Sequence, residues 1–416
     1  MSTDYPPSRC GGYELQCADA VAHIRRRGHD VRVLAGAAPA DHGETADDRH
    51  DDVHRELPRF PPDGRPVAAP AAWTAERSAA AVLRRQLAAF QPDVACLWRL
   101  GELSMSLPSR LRGAGVAVVG VVCDPWMVDG PQRDPWARLW ARRPLAAAVA
   151  ERTLGVPLRP RFDDTARWLF VSAALRKQVS AAGLPLADAE IVPAGVDLPA
   201  FPLAPMKPWS GRLLYAGRLS RLKGVDTALR ALVHLNPSMS LEIAGADNRA
   251  YERELHTMAA ALGVSSRVRF RGPLSRPVLS AAYAGADALL FPVRWQEPFG
   301  LVPLEAMARG TPVIGAVSGG PAAYLRDRRT ALVVPPDDPV ALATAVMRLA
   351  DDDALRARLR AAGRRAAEAY PAERSHSLIG AALEAEAVAA AMTRSPPLSR
   401  AGAVRSGANA SRRSAV

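Results

Sequence analysis

At 416 residues, with 49% apolar and 23% charged residues, the chain has ordinary globular usage and length for two cores of about 200 residues each. Its 54 lysines and arginines outnumber 42 acids, a net charge of +12, so an anionic partner is implied: nucleic acid, a membrane surface or a phosphorylated small molecule. Four scattered cysteines (Cys10, Cys17, Cys96, Cys123) without a C-x-x-C pair exclude a disulfide framework and a zinc knuckle. They fit a reducing cytoplasm.

No apolar run approaches the ~18 residues of a spanning helix, and no basic segment followed by an apolar one opens the chain, so a soluble, unsecreted protein is expected. The N-terminus brings an anomaly. Gly11-Gly12 reads as the glycine turn of a doubly wound domain, and Tyr13 to Arg27 as its helix, stopped by Gly28. The apolar strand that should precede the turn is absent from Met1 to Cys10. This predicts a misassigned start or a truncated chain, two neighbouring strands facing a gap, and a soft N-terminal domain.

Apolar runs then alternate with amphipathic stretches: Val31 to Ala35, Val94 to Trp98, Val116 to Val122 and Trp168 to Val171. After the proline-rich stretch Pro193 to Pro205, a predicted domain boundary, come Leu213 to Ala216, Leu241 to Ala244, Val268 to Phe270, Ala288 to Phe291, Pro312 to Ile314 and Leu332 to Val334. Buried parallel strands alternating with helices predict an α/β protein with two doubly wound sheets. Residues 1–203 and 204–372 are the expected domains, with a helix over 373–391 that crosses back to the first. Residues 392–416, which carry Arg394, Arg400, Arg405, Arg412 and Arg413, read as a disordered basic tail.

Two segments carry chemistry. Tyr215-Ala216-Gly217-Arg218-Leu219-Ser220-Arg221-Leu222-Lys223-Gly224 joins a strand to a helix through a glycine turn with cations, an arrangement that holds phosphate; solvated loop cations are the other reading. Glu297-Pro298-Phe299-Gly300 leads into a helix from Leu301 to Arg309. It sets two carboxylates, Glu297 and Glu305, eight residues apart, where they can accept hydroxyl pairs from a sugar and a ribose. Glu305 is alternatively a dipole-favoured surface residue.

Together with Glu305-Ala306-Met307-Ala308, Gly310-Thr311-Pro312-Val313, Ser318-Gly319-Gly320-Pro321 and Leu332-Val333-Val334-Pro335, these motifs resemble the retaining GT-B enzymes of glycosyltransferase family 4 (glycosyl transferases group 1). The resemblance is strong from Arg212 to Ala350 and weaker in the first half, where Asp4-Tyr5-Pro6-Pro7 with Gly11-Gly12, Gly28-His29-Asp30-Val31 and Phe170-Val171-Ser172 carry it. It implies two facing Rossmann-like domains and, as donor, a nucleotide-diphosphate sugar, UDP- or GDP-linked. Arg218 and Lys223 would neutralise the diphosphate, Glu305 hold the ribose and Glu297 the transferred sugar. Backbone groups of Gly12, Gly217, Phe299, Gly300, Leu301, Gly319 and Gly320 would complete the donor site.

The resemblance further implies retention of anomeric configuration, no metal, and a small-molecule, lipid-linked or glycan acceptor, with at most peripheral membrane contact. Asp351-Asp352-Asp353 reads as a helix cap, and His50 and His54 among Asp47, Asp48, Asp51 and Asp52 as a solvated acidic loop. Two departures stand out. Cys123-Asp124 occupies a place where many relatives carry His-Asp, and Ala323-Tyr324 one where many carry glutamate. Trp126, Trp136 and Trp140 are candidates for an acceptor cleft or for core packing. A catalytically silent relative and a nucleotide-sugar epimerase are the alternatives. A nucleic-acid binder is disfavoured because the basic residues are not interleaved with aromatics.

Overall fold

The computed structural model describes residues 1–7, 11–37, 52–61, 64, 65, 67–154, 157–163, 165–184, 186, 188–246 and 248–394. Cys10, Asp47, Asp48, His50, Asp51 and the tail beyond Arg394 lie outside them. The C-terminal sheet is wholly parallel. Its strands are β7 (Arg212–Ala216), β8 (Ser240–Ala244), β9 (Val268–Gly272), β10 (Ala288–Phe291), β11 (Val313–Gly315) and β12 (Leu332–Val333), in the order β12-β11-β10-β7-β8-β9. Read from β9, this is the doubly wound order 3-2-1-4-5-6, whose switch point lies between β7 and β10. β10 is buried at every position, as expected of a strand covered on both faces. The helix Val225–Leu232 packs Val225, Ala228, Leu229 and Leu232, all 0% exposed, on one face at helical spacing.

In the N-terminal half β1 (Val33–Gly36) pairs with β2 (Val53–Leu57), and β3 (Val94–Leu97), β4 (Ala117–Val122), β5 (Arg167–Phe170) and β6 (Glu190–Ile191) form a second parallel set. The gap expected between them is filled. Ser2 bridges Ala35 on one side and Arg99 on the other, both in parallel. The Met1 amino group donates to Cys96 O at 2.5 Å, Trp98 N to Met1 O at 2.9 Å, Thr3 N to Arg99 O at 2.7 Å, Ser2 N to Leu34 O at 3.2 Å and Gly36 N to Thr3 O at 3.2 Å. Met1 to Thr3 thus stand in the central strand position, which corrects the expectation of exposed inner edges. With them, this half repeats the order of the other domain.

Two chain crossings join the domains and are stapled to each other. Val196 N donates to Tyr370 O at 2.9 Å and Ala372 N to Val196 O at 2.9 Å, while a Cβ on Gly195 would lie 2.6 Å from Pro371 O. Beyond the second crossing, the helix Ala372–Arg394 returns to the N-terminal half. It packs on the opening helix Gly12–Arg26 and on β3 and β4, burying Ile379, Ala382 and Leu383. Among the described residues no helix is long and apolar enough to cross a membrane.

Candidate active site

Both motif loops leave the carboxyl ends of the two strands at the C-terminal switch point, where open α/β sheets bind ligands. Gly217 (φ 139°) turns the chain out of β7, and Leu219, 0% exposed, anchors the loop that follows. Gly224 (φ 69°) opens the helix Val225–Leu232, and a Cβ there would lie 1.9 Å from Pro292 O. The loops after β7 and β10 therefore touch backbone to backbone. Arg218 is exposed, and its carbonyl accepts from the Tyr215 hydroxyl at 2.8 Å.

The close approach of Gly224 to Pro292 brings the predicted cation and carboxylate together. Lys223 Nζ donates to Glu297 Oε2 at 2.5 Å, Trp295 Nε1 donates to the same oxygen at 2.8 Å, and the ammonium lies 4.9 Å from the Trp295 ring centroid. Burial pulls the Lys223 pKa down, the Glu297 carboxylate works against that, and Arg218 adds to it. Gly319 and Gly320 act behind this pair. Gly320 N donates to Glu297 O at 2.7 Å, Glu297 N to Ser318 O at 3.1 Å, and Cβ atoms on Gly319 and Gly320 would lie 2.4 Å from Glu297 O and 2.1 Å from Pro298 O. The glycine pair fixes the loop's backbone.

Phe299 turns its ring into the core, 2% exposed, against Tyr324 and Tyr370 at 5.8 and 5.6 Å. Its backbone stays with the loop. Gly300 (φ 81°) starts the helix Leu301–Arg309, whose dipole and free N–H groups face the cleft. Tyr324 holds this turn in place, because its hydroxyl donates to Phe299 O at 2.9 Å and to Gly300 O. One turn into the helix, Glu305 Oε2 accepts from the Tyr283 hydroxyl at 2.9 Å. Burial raises the Glu305 pKa, opposed by Tyr283 and Arg276.

From the opposite domain, the opening helix presents its own N-terminus. Gly12 is exposed, and a Cβ on it would come within 3.3 Å of Leu301 Cδ1, so two helix N-termini confront each other. Glu14 closes the turn by accepting from Gly11 N at 2.9 Å. Sequence reasoning missed Tyr13. Its hydroxyl is buried without a hydrogen-bond partner among the described residues, and burial, Glu297, Cys123 and Asp124 push its pKa well up while Arg218 opposes. This one side chain senses both halves of the cleft; its place directly after Gly12 was the only signal in the sequence.

Cys123 is 4% exposed at the end of β4, with burial raising its pKa, and Asp124 lies 3.0 Å from Arg99 Nε. The domains meet through Ser172 Oγ, which donates to Pro298 O at 2.6 Å, and through Arg276, 2.7 Å from Asp19 and 3.3 Å from Asp197. The tryptophans divide on the side of packing. Trp126 stands edge-on to Phe162 and Trp168, and Trp136 packs on Trp73 and Trp140. Asp352 caps the helix Asp353–Glu368 by accepting from Leu355 N at 2.7 Å, and Asp52 pairs with Arg32 and His54 at 2.8 Å.

Two family profiles cover this architecture in succession: Glycosyltransferase Family 4 over residues 10–199 and Glycosyl transferases group 1 over residues 209–366. The chain belongs to glycosyltransferase family 4. Among family relatives, the D-inositol 3-phosphate glycosyltransferase of Xylanimonas cellulosilytica is 38% identical over 44% of this chain and 48% of its own length. That of Streptomyces avermitilis is 36% identical over 38% of this chain and 36% of its own. The matched part thus spans half or less of these curated relatives. Sucrose-phosphate synthase from Thermosynechococcus elongatus shares the GT-B fold with a TM-score of 0.71 at 22% identity, covering 91% of this chain and 94% of its own. The HepE protein of Anabaena, solved with UDP-glucose, gives 0.66 at 19% identity, covering 92% and 98%.

Proposed function

We propose that the protein transfers a sugar from a nucleoside-diphosphate sugar to an acceptor hydroxyl, with retention of configuration and without a metal. The observation that carries this reading is the Lys223–Glu297 contact at the switch point, opposed across the cleft by Gly12 and Tyr13. Arg218 and Lys223 neutralise the diphosphate as it leaves, which stabilises the charge developing in the transition state. Glu297 accepts from hydroxyls of the transferred sugar and Glu305 from the ribose, while N–H groups at Phe299, Gly300 and Leu301 meet phosphate and sugar at a helix N-terminus. A backbone N–H of Gly12 approaches from the other domain. With two cations on the leaving group, no divalent ion is needed there.

The donor is a UDP- or GDP-sugar; HepE, with its bound UDP-glucose, lends weight to the uridine form. The acceptor is a small molecule, a lipid-linked sugar or a glycan, and the basic balance of the chain suits a phosphorylated or membrane-borne one in the cytoplasm. Release of nucleoside diphosphate from a donor panel tests the reading. Glu297→Gln and Lys223→Ala are expected to lower turnover by about 10²–10³-fold each. Thermal melts run alongside, because removing one partner of a buried ion pair also destabilises. Turnover unchanged in both variants, or no diphosphate released from any donor, would sink the assignment.

A further inference from the structure

The opening helix and the returning helix meet at a group of side chains that the transfer reaction does not use. His23 lies in the last turn of Gly12–Arg26, and Glu373 and His376 lie three residues apart at the start of Ala372–Arg394, a spacing that puts them on one face. One donor atom from each of the three lies within 4.8 Å of the others. His23 Nδ1 is 3.3 Å from Glu373 Oε1, and the two imidazoles stand 5.8 Å apart, tilted by 49°. We infer that His23, Glu373 and His376 form a binding site for a single borderline divalent ion of the zinc, cobalt or nickel type, which clips the returning helix to the opening one.

The donor set is the first reason. Two imidazoles and one carboxylate suit zinc and its neighbours and not magnesium or calcium, which take oxygen ligands. Burial of both imidazoles is the second. His23 and His376 are 6% and 7% exposed, so packing fixes where their ring nitrogens stand. Geometry is the third. Ligand atoms around tetrahedral zinc are about 3.3 Å apart at bond lengths of about 2.0–2.1 Å. The His23–Glu373 contact already has that separation, and the other donor pairs, within 4.8 Å, need at most about 1.5 Å of closure by side-chain rotation.

Access is open, because the Glu373 side chain is 70% exposed while both histidines are buried. Three protein ligands leave a position for water. Asp19, one turn before His23, is engaged by Arg276 and does not complete the set. The site is structural and separate from the cleft, since His23 lies eleven residues, roughly 16 Å along the helix, from Gly12. A metal-independent transfer reaction and a metal clip are therefore compatible. The clip joins elements more than three hundred residues apart in sequence, where a cross-link restricts the unfolded chain strongly.

Chelator-treated full-length protein, titrated with Zn²⁺ against a chromophoric chelator, is expected to take up about one equivalent, and its melting temperature to rise with Zn²⁺. Glu373→Ala, at an exposed position that the fold does not need, is expected to weaken uptake at least ~10-fold and to remove the thermal shift. His23→Gln combined with His376→Gln is expected to abolish both. Bound Co²⁺ should show visible bands of a nitrogen and oxygen site without thiolate charge transfer. Failure to retain Zn²⁺, equal uptake by wild type and Glu373→Ala, or a thiolate band pointing to the cysteines would each overturn the proposal.

Discussion

Tyr13 is the residue whose role differs most from what its type suggests. A buried hydroxyl without a partner among the described residues is costly in the fold, so its presence points to work done in the cleft. Tyr13→Phe is expected to leave the melting temperature unchanged or slightly higher, while kcat/KM falls by about 2–10-fold, the worth of one hydrogen bond. A parallel fall in both would make it a packing residue. Glu305 offers a pH test with a defined sign. Its pKa is raised by burial, so as pH falls the carboxylate takes up a proton earlier than a free glutamate would. Donor KM is therefore expected to climb on the acid side, beginning above the usual carboxylate range. The native state binds this proton more tightly than the unfolded chain, so the same group lowers stability as pH rises through that window. Tyr283→Phe removes a hydrogen bond to the ionised form and should move the acid limb of the KM profile to higher pH.

At the scale of elements, the donor loop is held by backbone. Gly319 (φ 82°) allows the crossing of Ser318 to Gly320 over Glu297 that no side chain would permit. Gly319→Ala is expected to cost about 1–3 kcal/mol and to raise donor KM, as seen by thermal melts and donor titration. Much of this was legible in the sequence. The apolar runs from Val31 to Val334 coincide with β1, β3 to β5 and β7 to β12. A strand covered on both faces, such as β10, reads as an unbroken apolar stretch, whereas the edge strand β9, with Arg269 exposed and no residue buried, was read from Val268 and Phe270 alone. β2 was not legible, since His54, Arg55 and Glu56 give a polar edge strand with only Val53 and Leu57 buried. Met1 to Thr3 were not legible either. Ser2 and Thr3 are polar, and at 3% and 0% exposure they are buried by ladder hydrogen bonds on both sides, which periodicity does not report. The pairing of Lys223 with Glu297 needed the fold order; the two motifs alone supplied the residues.

Across the whole molecule, one cluster of buried apolar residues runs from the N-terminal sheet through Phe201 and Tyr283 to Phe299 and Leu304, and the returning helix contributes Ile379, Ala382 and Leu383 to it. The N-terminal half therefore depends on a segment that follows the entire donor domain. Ile379→Ala, at 2% exposure, is expected to cost about 2–5 kcal/mol and, in calorimetry, to lower the transition of the N-terminal half more than that of the donor domain. Equal shifts would mean that the two halves melt as one unit.

The return of that helix also sets an order of events during synthesis. When Ile191 leaves the ribosome, the strands of the first sheet are all present, but the faces of β3 and β4 that will receive Ile379 and Leu383 are still uncovered. Roughly 200 more residues must be made, about 10–40 s at cellular elongation rates. The donor domain, local in its contacts, can form inside that interval. The half that is made first is thus finished last, and a chaperone holding its open sheet would have the whole of that interval in which to act.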